Sequence, residues 1–289
     1  MPIIETKNLK YVYGVDTGFE KPALTNVNIS IEKGEFIGLI GHTGSGKSTL
    51  IQQLNGLLKP TSGKVILEGK DIWEQPKKIR EVRFKVGMVF QYPEYQLFEE
   101  NVYKDIAFGP SNMGLNEAKI KSRVLEAARF VGLSENLLFK SPFDLSGGEK
   151  RRAAIAGIIA MDPEILILDE PTAGLDPLGK KSLIKQIMDY HKERKNTIIF
   201  VSHSMEDIAK VADRVLVMAN GTVKMFDTPE NIFAKADYLN KIGLRVPQIT
   251  RIMKKLKDKG YAVNDNVLTV QQGVEQILRL LRGESISNG

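Results

Sequence analysis

Residues 41–48 read Gly-His-Thr-Gly-Ser-Gly-Lys-Ser. It matches the phosphate-binding pattern GxxxxGK[ST]. The apolar run Glu35–Ile40 before it predicts a strand, and the sequence TLIQQLNGLL after it has the spacing of a helix. The pattern requires this order because loop amides and the helix N-terminus bind phosphate together. We therefore expect a nucleotide site in an α/β fold.

The residues of this loop have expected parts in nucleotide binding. We expect Lys47 to contact the β- and γ-phosphates and the Ser48 hydroxyl to bind Mg²⁺. The predicted nucleotide-binding residues of the loop are Gly41, His42, Thr43, Gly44, Ser45, Gly46, Lys47, Ser48 and Thr49. A glycine-rich turn that binds nothing is the alternative, and the flanking strand and helix argue against it.

Two further apolar runs end in residues that can do chemistry. Asp169 and Glu170 follow the run Ile165–Leu168, and His203 comes shortly after Thr197–Val201. Apolar runs without alternation are typical of inner strands of a parallel sheet, whose carboxyl ends share one edge. We predict that Asp169 holds Mg²⁺ through a water and that Glu170 orients or deprotonates the attacking water.

The segment Leu145–Glu149 reads LSGGE, a second glycine-rich helix start that lacks the lysine of a nucleotide site. The Ser146 hydroxyl and the Gly148 amide, at the start of the helix KRRAAIAGIIA, can bind a γ-phosphate. Alone, this segment would be a flexible turn before a helix. Beside a phosphate loop, it predicts that a second subunit completes each site.

Composition excludes several classes of protein. The 41 Lys and Arg exceed the 35 Asp and Glu by six, and residues 235–289 carry most of the excess, so we expect no nucleic-acid partner. The absence of cysteine excludes disulfides and thiolate metal sites. Apolar runs fall far short of the roughly 18 residues that span a membrane. The N-terminus does not read as a signal peptide, and we expect a cytosolic chain.

Periodicity predicts three parts of the chain. Residues 1–230 form the main domain, and residues 92–162 form a helical subdomain within it. Residues 231–289 are predicted to be a small α+β appendage for dimerisation or regulation, in which two amphipathic helices flank a strand-like VLTV. Since so small a unit cannot bury a core alone, we expect it to pack on the main domain or a partner. A solvated charged appendage is the alternative.

Over residues 3–230 the sequence resembles the nucleotide-binding subunits of ABC transporters. The family motifs occur in order: Walker A at 41–48, the Q-loop Gln91, the signature at 145–149, Walker B at 165–170, the D-loop at 173–176 and the switch His203. GHTGSGKST, FQYPEYQLFEENVYKDIAFGP, LSGGEKRRAAIAG and DEPTAGLDP are similar to CbiO-like ATPases of energy-coupling factor transporters, specifically the second paralogue. The implied fold is a P-loop NTPase of the RecA-like class with an inserted helical subdomain.

The resemblance implies roles for single residues of the nucleotide site. Glu170 becomes the catalytic base, Gln91 a ligand of Mg²⁺ or the lytic water, and His203 the γ-phosphate sensor. Tyr13 is implied to stack on adenine, with Tyr11 as the second candidate. Both tyrosines could equally be strand aromatics that face a core.

The resemblance also implies roles at the interface between two subunits. Ser146, Gly147, Gly148 and Glu149 complete the partner's site, and Asp176 couples the two sites. Glu149 stands where many relatives have Gln, and its like charge is expected to weaken anion binding slightly.

Cofactors and partners are implied in the same way. They are ATP, Mg²⁺, a paralogous ATPase in a heterodimer, a transmembrane T-type subunit and a substrate-binding S subunit. The implied activity is ATP hydrolysis that drives uptake of a vitamin or metal ion, at the cytoplasmic face of the membrane. Most aromatic residues after Gln91 are expected in the core, although this region of the family forms a groove for a membrane partner's coupling helix.

Two other classes remain as alternatives. A soluble ABC ATPase acting on DNA needs a long coiled coil, but residues 48–145 show no sustained heptads. Ribosome-acting members carry two nucleotide domains, and here there is one. A small-molecule kinase with a phosphate loop leaves LSGGE unexplained.

Overall fold

The apolar run before the phosphate loop forms the centre of a six-stranded sheet in this computed structural model, which describes residues 1–282. The strands are β1 (Ile4–Tyr13), β2 (Lys21–Ile31), β3 (Phe36–Gly41), β4 (Ser62–Leu67), β5 (Lys70–Asp71), β6 (Val86–Val89), β7 (Ile165–Asp169), β8 (Thr197–Val201), β9 (Arg214–Ala219) and β10 (Thr222–Asp227). The α-helices are α1 (Lys47–Leu54), α2 (Ile79–Lys85), α3 (Val102–Asn112), α4 (Glu117–Phe130), α5 (Gly147–Ile159), α6 (Pro177–Arg194), α7 (Met205–Val211), α8 (Pro229–Phe233), α9 (Ala236–Lys241), α10 (Gln248–Asp258) and α11 (Val270–Leu281).

The larger sheet is parallel except at one edge. Its order is β10-β9-β3-β8-β7-β6, and only β10 runs antiparallel to its neighbour. Every residue of β3, β7 and β8 is buried, because the sheet is covered on both faces. The three strands that the apolar runs predict are therefore direct neighbours, and their carboxyl ends lie at one edge. The α/β fold class is confirmed.

A four-stranded antiparallel sheet of order β2-β1-β4-β5 covers one face of the parallel sheet. Helix α1 contributes Leu50, Ile51 and Leu54 to the core between the two sheets, together with residues such as Leu9 of β1 and Leu39 of β3. The helix that follows the phosphate loop is thus anchored by apolar side chains of both sheets. This packing also holds the loop in place.

Helices α3, α4 and α5 form the helical region between β6 and β7. The helix predicted at residues 117–131 is present as α4, and the Asn116 side chain caps it by accepting the N–H of Lys119 at 2.9 Å. Val124 and Ala128 are buried and contact the core beside the sheet. Apolar spacing therefore identified the packed face of this helix.

The chain after β10 packs on the main core before it separates. Ile232, Phe233 and Leu239 are fully buried, in the same apolar cluster as residues of the parallel sheet. The boundary predicted after residue 230 thus falls inside a segment that belongs to the main core. A separate, smaller cluster holds α10 and α11 together: Ile277 and Leu280 of α11 pack against the buried side chains of Ile249, Met253, Val263 and Val267.

The strand predicted at VLTV, residues 267–270, is wrong. Thr269 is the N-cap of α11 and forms a capping box with Gln272, so Val270 is already the first residue of that helix. Val267 and Leu268 are buried but belong to no strand or helix. Within the described residues the appendage is helical. The last seven residues that the prediction assigned to it, 283–289, lie outside the described residues.

Candidate nucleotide site

The phosphate loop and the ends of β7 and β8 line one open cleft of about 490 Å³. The residues around it are Tyr13, Lys21, Pro22, Ala23, Thr43, Gly44, Gly46, Lys47, Ser48, Thr49, Gln91, Asp169, Glu170 and His203. Motifs that are up to about 190 residues apart in the sequence therefore share one site, as parallel strands with adjacent carboxyl ends require.

Two glycines give the loop its shape. Gly46 has a φ of 101°, and a Cβ there would lie 2.7 Å from the carbonyl oxygen of Ala23. Gly44 has a φ of 79°, and no atom lies within 4 Å of where its Cβ would be. Both residues adopt a backbone conformation that favours glycine. The loop is consequently tight against β2 and open toward the cleft, where phosphate oxygens can approach its backbone.

Lys47 is a buried cation at the mouth of the loop. Its Nζ donates to the carbonyl oxygens of Gly41 at 2.7 Å and His42 at 3.2 Å. Burial lowers the pKa of Lys47, and the negative charges of Glu170 and Asp169 oppose that shift. The ammonium is therefore positioned between the loop and the carboxylates, where phosphate charge would fall.

Three of the predicted binding residues hold the loop and do not line the cleft. They are Gly41, His42 and Ser45. The His42 carbonyl accepts the N–H of Ser45 at 3.1 Å, and the Ser45 carbonyl accepts the N–H of Gly221 at 3.0 Å. Their contribution in this structure is to shape the backbone that Thr43, Gly44 and Gly46 expose.

Asp169 and Glu170 place two carboxylates beside one ammonium. The pKa of Asp169 is raised to about 6, first by burial and then by the charge of Glu170, with the charge of Lys47 opposing the rise. Burial also raises the pKa of Glu170, against a backbone hydrogen bond from His203 and the charge of Lys47. When both carboxylates are ionised, this end of the cleft carries more negative than positive charge.

His203 faces the carboxylate of Glu170. Its Nε2 lies 3.2 Å from Oε1 of Glu170, but the two atoms are not aligned as a hydrogen bond. Burial, followed by the charge of Lys47, lowers the pKa of His203, which favours a neutral imidazole near pH 7. Oε1 of Glu170 is buried and has no hydrogen-bond donor among the described residues.

The donor set at this end of the cleft fits a divalent cation. Ser48, Gln91 and Asp169 offer the oxygen ligands that Mg²⁺ prefers, and the excess negative charge would be compensated by its binding. Residues 1–282 contain no cluster of three or more His, Cys, Asp and Glu side chains that could hold a metal by themselves. The remaining ligands would come from the nucleotide and water.

Tyr13 lies at the other end of the cleft. Its hydroxyl is 3.1 Å from Oγ1 of Thr49, and its ring is 41% exposed. Tyr11 contacts the ring of Tyr13 edge to face, with centroids 4.8 Å apart, and packs against the core between the sheets. Of the two candidates for stacking on adenine, the geometry favours Tyr13.

Sequence reasoning missed the three residues of β2 that line the cleft. Lys21, Pro22 and Ala23 reach it because β2 pairs antiparallel with β1, which sets Lys21 opposite Tyr13. No motif marks them, and only the register of this hairpin brings them to the site. That register is set by pairing across the sheet and cannot be read from β2 alone.

The signature lies outside this cleft, in a separate hollow of about 450 Å³. Ser146, Gly148 and Asp176 line this hollow. Ser146 caps α5: its hydroxyl donates to the Glu149 carboxylate at 2.6 Å and accepts the Glu149 N–H at 3.3 Å. The Asp176 carboxylate caps α6 by accepting the N–H of Gly179 at 2.6 Å. The signature residues and the phosphate loop of one chain therefore line two separate hollows.

Comparison with known proteins agrees with these motifs. The family model described as ABC transporter matches residues 24–173. The energy-coupling factor transporter ATP-binding protein EcfA2 of Caldanaerobacter subterraneus subsp. tengcongensis is 54% identical, with 98% of this chain and 99% of that protein covered. EcfA2 of Clostridium tetani is 53% identical, over 98% of each chain.

Solved structures show the same similarity. The structure of cbiO1 from Clostridium perfringens, described as part of the ABC transporter complex cbiONQ, has a TM-score of 0.74 and 40% identity, covering 88% of this chain and 99% of that one. A dimeric post-hydrolysis state of the ATP-binding cassette MJ0796 bound to ADP and Pi has a TM-score of 0.70 and 27% identity, covering 78% and 98%. The chain thus belongs to the ABC transporter family and, within it, to the ATP-binding proteins of energy-coupling factor transporters.

Proposed function

We propose that this chain hydrolyses ATP as one half of a pair with a paralogous ATPase and thereby drives uptake through an energy-coupling factor transporter. One observation carries the proposal: Ser146 and Gly148 line a different hollow from the phosphate loop. Two chains facing head to tail would set the signature of each against the loop of the other. The dimeric neighbour bound to ADP and Pi supports this arrangement.

Within each site, the residues of this chain divide the work. The loop amides and Lys47 bind the phosphates, while Tyr13 stacks on adenine. Ser48, Gln91 and, through a water, Asp169 would hold Mg²⁺, which would neutralise charge on the phosphates when bound. Glu170 takes a proton from the attacking water, and its raised pKa brings its basicity closer to neutral pH.

The remaining motif residues act between the subunits. His203, beside Glu170, senses the γ-phosphate, and Asp176 couples one site to the other. The partner's site receives Ser146 and the backbone of Gly147 and Gly148, with Glu149 at their edge. Because ATP would bind the closed pair more tightly than the open pair, its hydrolysis shifts the pair toward opening.

A groove of about 400 Å³ between α2, α3 and α5 is the proposed contact with the T-type subunit. Phe98 and Phe108 line it, contact each other edge to face with centroids 5.0 Å apart, and are 61% and 47% exposed. The expectation that most aromatics after Gln91 lie in the core is wrong. Of the five between residues 92 and 108, only Tyr103 packs against the core, whereas Tyr92 and Tyr95 are exposed like this pair. Exposed rings of this kind suit an apolar helix face.

Asp105 is the acidic residue of this groove, which Arg80 and Arg83 also line. One of its carboxylate oxygens accepts the N–H groups of Phe98 at 3.1 Å and Glu99 at 3.2 Å. The other, Oδ2, is buried and has no hydrogen-bond partner among the described residues. Burial also raises the pKa of Asp105, and with two arginines beside it the groove has no excess of negative charge. We therefore propose a helix that docks mainly through its apolar face.

The proposed location follows from these partners. None of the helices within residues 1–282 is long and apolar enough to cross a bilayer. We propose a peripheral position at the cytoplasmic face, held by the T-type subunit. The vitamin or metal ion would be recognised by a separate S subunit. A role on DNA or the ribosome is not favoured by the relatives named above.

Substitution of Ser146 tests the pairing. Ser146→Ala should leave the ATP affinity of the isolated chain unchanged, since that residue lies outside its own cleft. In the pair with the paralogous ATPase, turnover should fall about tenfold or more. Ser141→Ala is the matched control, because Ser141 also caps a helical turn, by accepting the N–H of Phe143. Normal turnover of the Ser146→Ala pair would contradict the proposal.

A further inference from the structure

Arg151 is a buried arginine on α5 that joins three separate segments. Its side chain is 5% exposed. Nε donates to Oε2 of Glu94 at 3.0 Å, and Nη2 donates to Oε1 of Glu94 at 2.7 Å. Nη1 donates to the carbonyl oxygen of Pro171 at 3.3 Å and also to that of Ala173. The guanidinium thus uses both edges of its planar fork.

Each segment that Arg151 contacts carries a residue of the proposed site. Glu94 lies in the short helical turn Pro93–Gln96, three residues after Gln91. Pro171 follows Glu170 directly, and Ala173 begins the D-loop that ends at Asp176. Arg151 itself lies just past the signature on α5. One side chain therefore connects the segments that hold the lytic water, the base, the D-loop and the signature.

The same turn also reaches the groove that is open to a partner. Gln96 and Leu97, within three residues of Glu94, line the groove beside Phe98. A displacement of this turn by a helix in the groove would move Glu94, and the two hydrogen bonds to Arg151 would pass that displacement to α5. The path is short and consists of direct contacts only.

Arginine is required at this position for geometric reasons. A lysine ammonium cannot make the bidentate contact with a carboxylate and at the same time reach two carbonyl oxygens on another edge. Burial raises the pKa of Glu94, but the hydrogen bonds and charge of Arg151, together with a backbone hydrogen bond, outweigh it and lower the net pKa, so the pair is ionised. A buried ion pair adds little net stability compared with apolar residues, which leaves positioning as its use.

We propose that Arg151 is a positioning residue that links the partner groove to the catalytic segments through Glu94 and the carbonyls of Pro171 and Ala173. This inference rests on the proposed function, because it supposes that a membrane subunit occupies the groove. With the link intact, a shift of the turn at Glu94 moves the signature helix and the D-loop together. Without it, ATP still binds, but the membrane subunit no longer controls hydrolysis.

The test compares ATP turnover of the ATPase pair alone with that of the full complex in lipid nanodiscs. Arg151→Lys and Glu94→Gln should each reduce stimulation by the membrane subunits about tenfold, while KM for ATP stays within about twofold. The double variant should lose no more stimulation than Arg151→Lys alone, because both substitutions break the same contact. Arg123→Gln is the control: it breaks the ion pair with Asp162, 2.6 Å long, elsewhere in the helical region.

Each outcome is decisive. Stimulation that stays at the wild-type level in Arg151→Lys and Glu94→Gln would overturn the inference, as would losses that multiply in the double variant. If Arg151→Lys fails to fold, Glu94→Gln decides, since it keeps the arginine and its contacts to the carbonyls. A wild-type complex that hydrolyses no ATP, or is not stimulated at all, would instead count against the proposed function.

Discussion

Glu170 leaves β7 with a φ of 51°, which is uncommon for a residue with a side chain. Its backbone N–H donates to the carbonyl oxygen of Val201 at 3.1 Å, so the neighbouring strand holds this conformation. Strained backbone that is held by its surroundings is typical of functional positions. The result is a carboxylate turned into the cleft between Lys47 and His203.

Glu170→Gln should separate binding from chemistry. The amide keeps the size of the side chain but cannot accept a proton, so we expect turnover to fall about 10²- to 10⁴-fold. ATP affinity should change little, because the phosphate loop is intact. Equilibrium binding of ATP and single-turnover hydrolysis in the assembled pair measure the two effects. Hydrolysis within threefold of the wild type would exclude Glu170 as the base.

The raised pKa of Asp169 makes the free energy of unfolding of the nucleotide-free protein depend on pH. Its pKa is about 6 in the folded protein and 3.8 in an unfolded chain, so the folded protein binds more protons between these two pH values. Stability contributed by this group therefore falls as pH rises from about 4 to 6 and stays constant above.

Asp169→Asn removes the destabilisation that the ionised Asp169 carboxylate causes. We expect the free energy of unfolding to rise by about 1 kcal/mol at pH 7.5, with the gain disappearing below about pH 4. Urea unfolding at both pH values, without nucleotide or magnesium, measures it. Asp237→Asn is the control, since that exposed carboxylate has a lowered pKa and should show no gain. An equal gain at both pH values would contradict the role of Asp169 ionisation.

At the scale of elements, the capping box that begins α5 has a second effect. The Glu149 carboxylate accepts hydrogen bonds from the N–H and hydroxyl of Ser146, and these lower its pKa. A phosphate that binds the Ser146 hydroxyl must therefore compete with a charged carboxylate. The sequence predicted that the negative charge of Glu149 weakens anion binding slightly. In the structure this carboxylate is hydrogen-bonded to the hydroxyl that would bind the anion.

Glu149→Gln should relieve this competition without loss of the helix cap, because glutamine can form the same capping box. We expect KM for ATP of the assembled pair to fall by about two- to fivefold, with thermal stability unchanged within about 2 °C. Steady-state kinetics at varied ATP measures the change. An unchanged or higher KM would show that the carboxylate does not compete.

Many of these strands and helices could be predicted from the sequence. The cores of β3, β7 and β8 could be read from apolar runs because those strands are buried on both faces. The strand prediction at residues 267–270 failed for a local reason. Thr269 and Gln272 form a capping box that begins a helix, and this outweighs the strand preference of the two valines. The link from Arg151 to Glu94 could not be found, since 57 residues separate them and only the packed fold brings them together.

At the scale of the molecule, α10 and α11 leave an apolar strip on the surface. The strip consists of Ile252 on α10 and of Val270, Val274, Leu278 and Leu281 along one face of α11, each at least 45% exposed. The inner face of α11, at Gly273 and Ile277, packs against α10 instead. We propose that the paralogous ATPase covers the strip, in line with the dimerisation role expected of the appendage.

Leu278→Glu tests this assignment. The side chain is half exposed, so the chain should remain folded, whereas its affinity for the paralogous ATPase should fall about tenfold or more. Analytical ultracentrifugation of the two ATPases without membrane subunits measures the pairing. Asn136→Glu, an equal change of charge at another exposed position, should have no effect. Pairing at wild-type strength by Leu278→Glu would place the contact elsewhere.

The strip has a further consequence for a cell that makes this chain. A copy without its paralogous partner would expose this apolar strip to solvent. Such a copy would be prone to binding by chaperones, aggregation or degradation. Surplus molecules would then be cleared, and the amounts of the two ATPases would converge without any dedicated regulator. Recombinant yield should accordingly improve when both polypeptides are synthesised together.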